Sequence, residues 1–317
     1  MKNITLRQLK SVLAVHELGK ISKAASALGL TGPAVTLQLQ QLEAELGIEL
    51  FDRMPEGLRP TAAGLAVINA AESIEERLRI LSDEVTAIRG GRKGTLKLGV
   101  VSTAKYFAPR LMAAFQKQYP DIRMELSVGN REETIAALAE HRLDLALMGR
   151  PPRNLPVDSV VFGDHPLVII ANEHHPLAHR RHIKKAELAG EHFLIREAGS
   201  GTRISLEIFL SDMPTKLEQL GTEMTSNETI KQAVMAGLGI AFISAHTIEL
   251  EVQVGKLVIL DVEGLPIRRE WFSVWRQDRV FTPAMQTFNL FLSKKGASHL
   301  PLTAKPYALS GFPTREL

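Results

Sequence analysis

Cysteine is absent from the 317-residue chain. That excludes a disulfide framework, thiolate metal sites, iron–sulfur clusters and a cysteine nucleophile. Neither sign of charge predominates: 38 Lys and Arg stand against 35 Asp and Glu, a formal +3, so bulk charge neither announces nor forbids a nucleic-acid partner. Long apolar runs are also missing. The longest uncharged stretch, Ala233 to Ile248, is interrupted by Gly237 and Gly239 and carries Ser244 and His246, short of the roughly 20 residues that span a bilayer. Arg7 and Lys10 stand where a secretion signal needs its apolar segment. The expectation is a cytoplasmic protein without a membrane partner. There is no G-x-S-x-G elbow, H-E-x-x-H pair, Walker A sequence or strand-linked G-x-G-x-x-G, so enzyme readings find no support. The histidine cluster from His174 to His182 is interrupted by Pro176 and holds Arg180 and Arg181. It reads as a solvated loop, and neither metal nor cofactor is expected.

What is present falls into three regimes. Residues 1–60 read as short helices with tight turns: Leu6, Leu9 and Leu13 mark one, and Ile21, Ala24, Ala25 and Leu28 a second. A third follows Thr31, with Pro33 in its first turn, and Val35, Leu39, Leu42 and Leu46 share one side of it. The opposite side then carries Pro33, Leu37, Gln40 and Gln41, with Thr36 at its edge. Gly47, Pro55 and Gly57 punctuate a turn or hairpin flanked by Arg53 and Arg59. This is a helix-turn-helix pattern, whose second helix reads the major groove from its N-terminal residues. A helical hairpin that merely packs is the bland alternative.

Residues 61–89 form the longest helical pattern, capped by Thr61 and striped by Leu65, Ile68, Ala71, Leu78, Leu81, Val85 and Ile88. A helix apolar along one seam is a pairing helix, or a surface helix packed on its own body. Residues 90–94, glycine-rich and basic, read as a hinge. From Thr95 strands and helices alternate, which predicts mainly parallel α/β sheets in two subdomains. Residues 301–317 are aperiodic and read as a tail.

Ligands of open α/β sheets bind beyond the carboxyl ends of strands, where helix N-termini offer free N–H groups. Ser102, Thr103 and Lys105 follow the first strand of this region, Asn130 the second and Arg150 the third. Ser200, Thr202 and Arg203 form a small-residue turn after a later strand, and Asn227 opens another helix. These hydroxyls, amides and cations suit a carboxylate or phosphate ligand.

Ser22 to Leu28, Thr31 to Thr36, Leu42-Glu43, Leu46-Gly47, Leu50 to Arg53 and Leu58 to Gly64 together resemble the LysR-type transcriptional regulators. Lys105 to Arg110, Val128 to Glu132, Leu143 to Pro152 and Arg196 to Arg203 are similar to the Calvin-cycle, RuBisCO-operon subgroup. The resemblance implies a winged helix-turn-helix over 1–60 and a dimerising linker helix over 61–89. It also implies a periplasmic-binding-protein-like effector domain over 95–300, with subdomain I at 95–162 and 269–300 and subdomain II at 163–268. Crossovers are expected near 162–166 and 263–269. Implied partners are double-stranded DNA at an interrupted palindrome, contacted by Thr31, Pro33, Thr36, Leu37, Gln40, Arg53 and Arg59. Others are a second copy forming a dimer and then a tetramer, RNA polymerase, and a phosphorylated metabolite or NADPH. The family has Gln where this chain has Gly32, and Ser where it has Thr36, so no base contact is carried onto Gly32. The competing expectation is a small-molecule-binding protein or enzyme whose N-terminal helices serve only for dimerisation.

Overall fold

Short helices need anchors, because an isolated helix below about 15 residues is marginal in water. In α1 (Leu6–Leu18) the anchor is local: the Thr5 hydroxyl accepts from the Gln8 N–H, and the Gln8 side chain accepts from the Thr5 N–H at 2.8 Å. In α2 (Ile21–Leu28) it is tertiary: the helix has no side-chain cap and buries Ala24 and Ala25, whose small side chains let neighbouring helices approach. Gly29 leaves α2 with φ 65°, a left-handed conformation that costs glycine nothing, and the chain enters α3 (Gly32–Leu46). Val35, Leu39 and Leu42 of α3 join Val12, Val15, Leu50 and Phe51 in one core. The strands β1 (Phe51–Met54) and β2 (Gly57–Pro60) form an antiparallel hairpin.

The computed structural model describes residues 3–55, 57–88, 94–212 and 221–301. The expected hinge and tail lie outside the described residues, except Gly94 and Pro301. The chain forms two units, Met1–Val85 and Thr86–Leu317, each with its own core.

Thr61 starts α4 (Ala62–Ile88) as expected, its hydroxyl accepting from the Gly64 N–H at 3.0 Å. Gly64 is required by space: a Cβ there would lie 2.0 Å from the Leu50 carbonyl oxygen. The expected apolar stripe divides: Ile68 and Ala71 turn into the head core, whereas Leu65, Leu78, Leu81 and Val85 are exposed. Ile74, which the stripe did not include, joins Leu78, Leu81 and Val85 in an exposed seam at heptad-like spacing.

The second unit runs β3 (Gly94–Val101), α5 (Ala108–Gln118), β4 (Ile122–Gly129), α6 (Arg131–Ala139) and β5 (Leu145–Met148), then β6 (Val157–Asn172). It continues with β7 (Phe193–Arg196), α7 (Gly201–Phe209), β8 (Gly221–Met224), α8 (Asn227–Met235) and β9 (Ile240–Ser244). The series ends with α9 (Glu249–Gln253), β10 (Leu257–Ile259), β11 (Ile267–Arg276) and α10 (Pro283–Lys295). The sheet order is β4-β3-β5-β11-β6-β9-β7-β8, with β10 beside β6. Strands β4, β3 and β5 are parallel, as are β9, β7 and β8. Between these triples, β6 and β11 pair antiparallel as one long ribbon.

That ribbon corrects the expectation of mainly parallel sheets, and it makes the crossover expected near 162–166 a continuous strand. Gly163 and Pro166 look like punctuation, yet β6 runs through both, with Pro166 opposite Arg268 in the ladder. The only irregularity of the β6–β11 register is a shift between Trp271 and Phe272. The chain therefore passes between the two halves on strands. One core lies under the first half, around Phe107, Phe115, Trp271 and Phe288, and two lie on either face of the second half.

Candidate functional site

The exposed side of α3 carries Thr31, Pro33, Leu37 and Gln40, with Leu37 54% exposed, an apolar side chain left in solvent. Thr31 holds the N-cap position but its side chain makes no capping bond, so it is free for another partner. Thr36 is half-buried, and its hydroxyl donates to the Gly32 carbonyl at 3.0 Å. That proton is already used, so Thr36 offers only an acceptor, which suits a donor on a base edge and not a phosphate. Behind the face, the buried Ser11 hydroxyl donates to Gln38 Oε1, fixing α3 against α1. In the hairpin, Arg53 stands opposite Leu58 and Arg59 opposite Asp52. Since side chains alternate along a strand, the two exposed arginines leave the ribbon on opposite faces.

In the second unit a cavity of about 290 Å³ opens between the halves. From the first half come Ser102 and Thr103 after β3, Arg131 at the start of α6, and Arg150 and Arg153 after β5. From the ribbon come His165, Leu167 and Arg269. From the second half comes the first turn of α7, Ser200 to Thr202, with Ile204 and Ser205 behind it. Among the described residues, none that lines it is acidic. The Arg131 guanidinium donates to the Arg150 carbonyl, so it also props the loop that carries Arg150. Burial, with Arg150 and Arg269 nearby, holds Arg131 below the ordinary guanidinium pKa. Burial and then Arg150 do the same to Arg269. Charges of one sign crowd a partly dry space and face free N–H groups of a helix start. Such a place binds an anion.

Five of the residues expected from strand ends meet here: Ser102, Thr103, Arg150, Ser200 and Thr202. Four do not line the cavity. Asn130 caps α6, accepting from the Glu133 N–H at 2.9 Å. Arg203 is held by Glu207 at 3.0 Å and by Glu223, and those bonds raise its pKa. Asn227 is buried and accepts from Arg196, which reaches across to Ser102 Oγ at 3.1 Å. Lys105 Nζ lies 5.2 Å from the centre of the Tyr106 ring. Around the cavity the halves also meet through Tyr106 with Glu228 and Arg110 with Glu249.

Two family models match. Residues 6–65 match the bacterial regulatory helix-turn-helix protein of the lysR family, and residues 89–297 match the LysR substrate binding domain. The chain belongs to the LysR family. It is a DNA-binding transcriptional regulator, and its relatives are named as regulators, not enzymes. The HTH-type transcriptional regulator CbbR of Rhizobium meliloti is 61% identical over 312 residues, covering 98% of this chain and 100% of that one. The RuBisCO operon transcriptional regulator of Allochromatium vinosum is 43% identical, covering 93% of this chain and 97% of that one. The regulatory domain of Synechocystis CcmR, solved in complex with 2-PG, is 35% identical with a TM-score of 0.60, covering 64% of this chain and 97% of that one.

Within this LysR effector domain, sequence reasoning missed Arg131, Arg153, His165 and Arg269. Arg131 adjoins Asn130 at a helix start, so the strand-end rule passed within one residue of it. His165 and Arg269 lie inside the segments expected as crossovers, 162–166 and 263–269. Pairing those two segments antiparallel would have placed both residues on one face of the ribbon.

Proposed function

We propose that this protein controls carbon-fixation genes in the cytoplasm and takes its signal from a small phosphorylated metabolite bound in the cavity. The observation that carries this is that Arg131, Arg150, Arg153 and Arg269 line one cavity with the start of α7, and no acidic residue among the described ones lines it. Likeness to a RuBisCO operon regulator and to a domain solved with 2-PG supports the gene class and the ligand class. A cavity near 290 Å³ sits at the lower end of ligand sites, which favours a small phosphorylated acid over NADPH. Among the described residues no helix is long and apolar enough to cross a membrane.

The DNA contacts in this reading come from Thr31, Pro33, Thr36, Leu37 and Gln40 on α3, with Arg53 or Arg59 on phosphate. The exposed seam Ile74, Leu78, Leu81 and Val85 supports pairing with a second copy, and so two reading heads per palindrome. The test is a DNase footprint on an interrupted palindromic promoter at low salt, with and without 2-phosphoglycolate. The metabolite is expected to shorten or relax the footprint. Absence of any footprint at any such site sinks the DNA half of the reading, and a footprint blind to every phosphorylated metabolite sinks the effector half. Gln40→Ala is expected to weaken specific binding about tenfold, the scale of one lost base contact, while binding to scrambled DNA stays unchanged.

A further inference from the structure

Among the uncharged groups that line the cavity, His165 stands out. His165 lines it from β6 with only 6% of its surface exposed, and neither ring nitrogen has a hydrogen-bond partner among the described residues. Buried polar atoms are nearly always paired, so an orphan of this kind marks a missing partner. Its seat is built closely. The ring stacks on Trp271 with centroids 3.9 Å apart and planes 19° apart. On another side Gly149 leaves room for it: a Cβ there would stand 2.6 Å from His165 Nδ1. Trp271 is itself fixed, its indole N–H donating to His246 Nδ1 at 3.0 Å.

The ribbon register gives the ring its neighbour. His165 and Arg269 are direct partners across β6 and β11, so their side chains leave the same face side by side. Burial, then His246, then Arg269 press the His165 pKa down to about 3. The ring is therefore neutral at physiological pH, with one N–H donor and one bare nitrogen.

We propose that His165 is the uncharged hydrogen-bond donor of this site, its ring N–H binding an oxygen of the phosphorylated effector beside the Arg269 guanidinium. This assignment rests on the effector reading above. It divides the labour in the cavity: guanidiniums supply charge, while a buried ring stacked on Trp271 fixes where one oxygen sits. Arginine side chains alone bind anions of many shapes. A donor locked between Trp271 and Gly149 narrows the accepted ligands to those that place an oxygen at that point.

The test is calorimetric binding of 2-phosphoglycolate and of inorganic phosphate to the full-length wild-type protein, His165→Phe and His165→Gln. Phenylalanine keeps the volume and the stack on Trp271 but has no N–H. The expected result is about 10- to 100-fold weaker binding to His165→Phe, the scale of one hydrogen bond to a charged group. Wild-type protein carrying 15N-histidine supplies a readout that needs no folded apolar variant. On saturation, the His165 ring signals, identified by their loss in His165→Gln, are expected to shift while remaining those of a neutral ring. Binding to His165→Phe within twofold of wild type, or ring signals that ignore the ligand, overturns the assignment and leaves the effector reading intact. A wild-type protein that binds neither anion overturns both.

Discussion

An Asp144→Ala variant is expected to lose about 3–5 kcal/mol of stability in its effector-binding unit, the usual cost of stripping one partner from a buried ion pair. Asp144 is fully buried, and its Oδ1 meets the Arg279 guanidinium, which is only 7% exposed. Its other oxygen accepts from the Lys97 N–H at 2.7 Å, and its own N–H donates to the Lys97 carbonyl at 2.8 Å. One carboxylate thus ties β3 to the segment that follows β11, at the place where the chain returns to the first half. Alanine takes the carboxylate away from a guanidinium in a dry interior, one that also donates to the His141 carbonyl at 3.4 Å. Urea unfolding followed by tryptophan fluorescence reads this unit alone, because both tryptophans, Trp271 and Trp275, lie on β11. The midpoint should fall with little change in slope. A loss below about 1 kcal/mol, the level of an ordinary hydrogen bond, would show that Arg279 is satisfied without Asp144.

Arg269→Met should move two properties in opposite directions. Affinity for 2-phosphoglycolate is expected to fall about 10- to 100-fold, since a guanidinium bound to an anion contributes a charged hydrogen bond. The ligand-free protein is expected to unfold at a higher temperature. Arg269 Nε is buried with no hydrogen-bond partner among the described residues, and burial, then Arg150, disfavour its charge. Methionine fills similar space without a cation to desolvate. Binding sites commonly hold groups that the empty fold would be more stable without. Thermal unfolding of the two proteins, with and without ligand, checks both parts. A variant that binds normally removes Arg269 from the site. One that binds weakly and also melts lower makes Arg269 a structural residue.

The reading head was legible because its signals are local. Leucines at helical spacing, a glycine turn and Pro33 in a first turn need no knowledge of distant strands, and α1 to α3 follow them. Strand ends were legible for a similar reason: alternation of β and α places small polar residues at one edge, and Ser102, Thr103, Arg150, Ser200 and Thr202 meet there. Arg203 lies in the turn that lines the cavity but is held elsewhere by Glu223 and Glu207. Whether a first-turn arginine points into the cleft or outward depends on its partners, and Glu223 belongs to β8, a strand not anticipated. His165 and Arg269 were hidden for a deeper reason. Their meeting depends on ladder register between strands far apart in sequence, which composition and period do not encode. Thr36 shows the limit inside a correct helix: its outward position was readable, but the spending of its hydroxyl on the Gly32 carbonyl was not.

The β6–β11 ribbon has a mechanical consequence. Most hinged proteins bend at loops, where a few backbone torsions turn freely. Here any change of angle between the halves has to twist two hydrogen-bonded strands, so the joint is a leaf spring with a resting shape and a restoring force. His165 and Arg269 sit on that spring itself. In the reading proposed above, a ligand gripped at the pivot acts at the short end of the lever. A small torsion there becomes a larger displacement at the outer edges of the sheet, the strands β4 and β8.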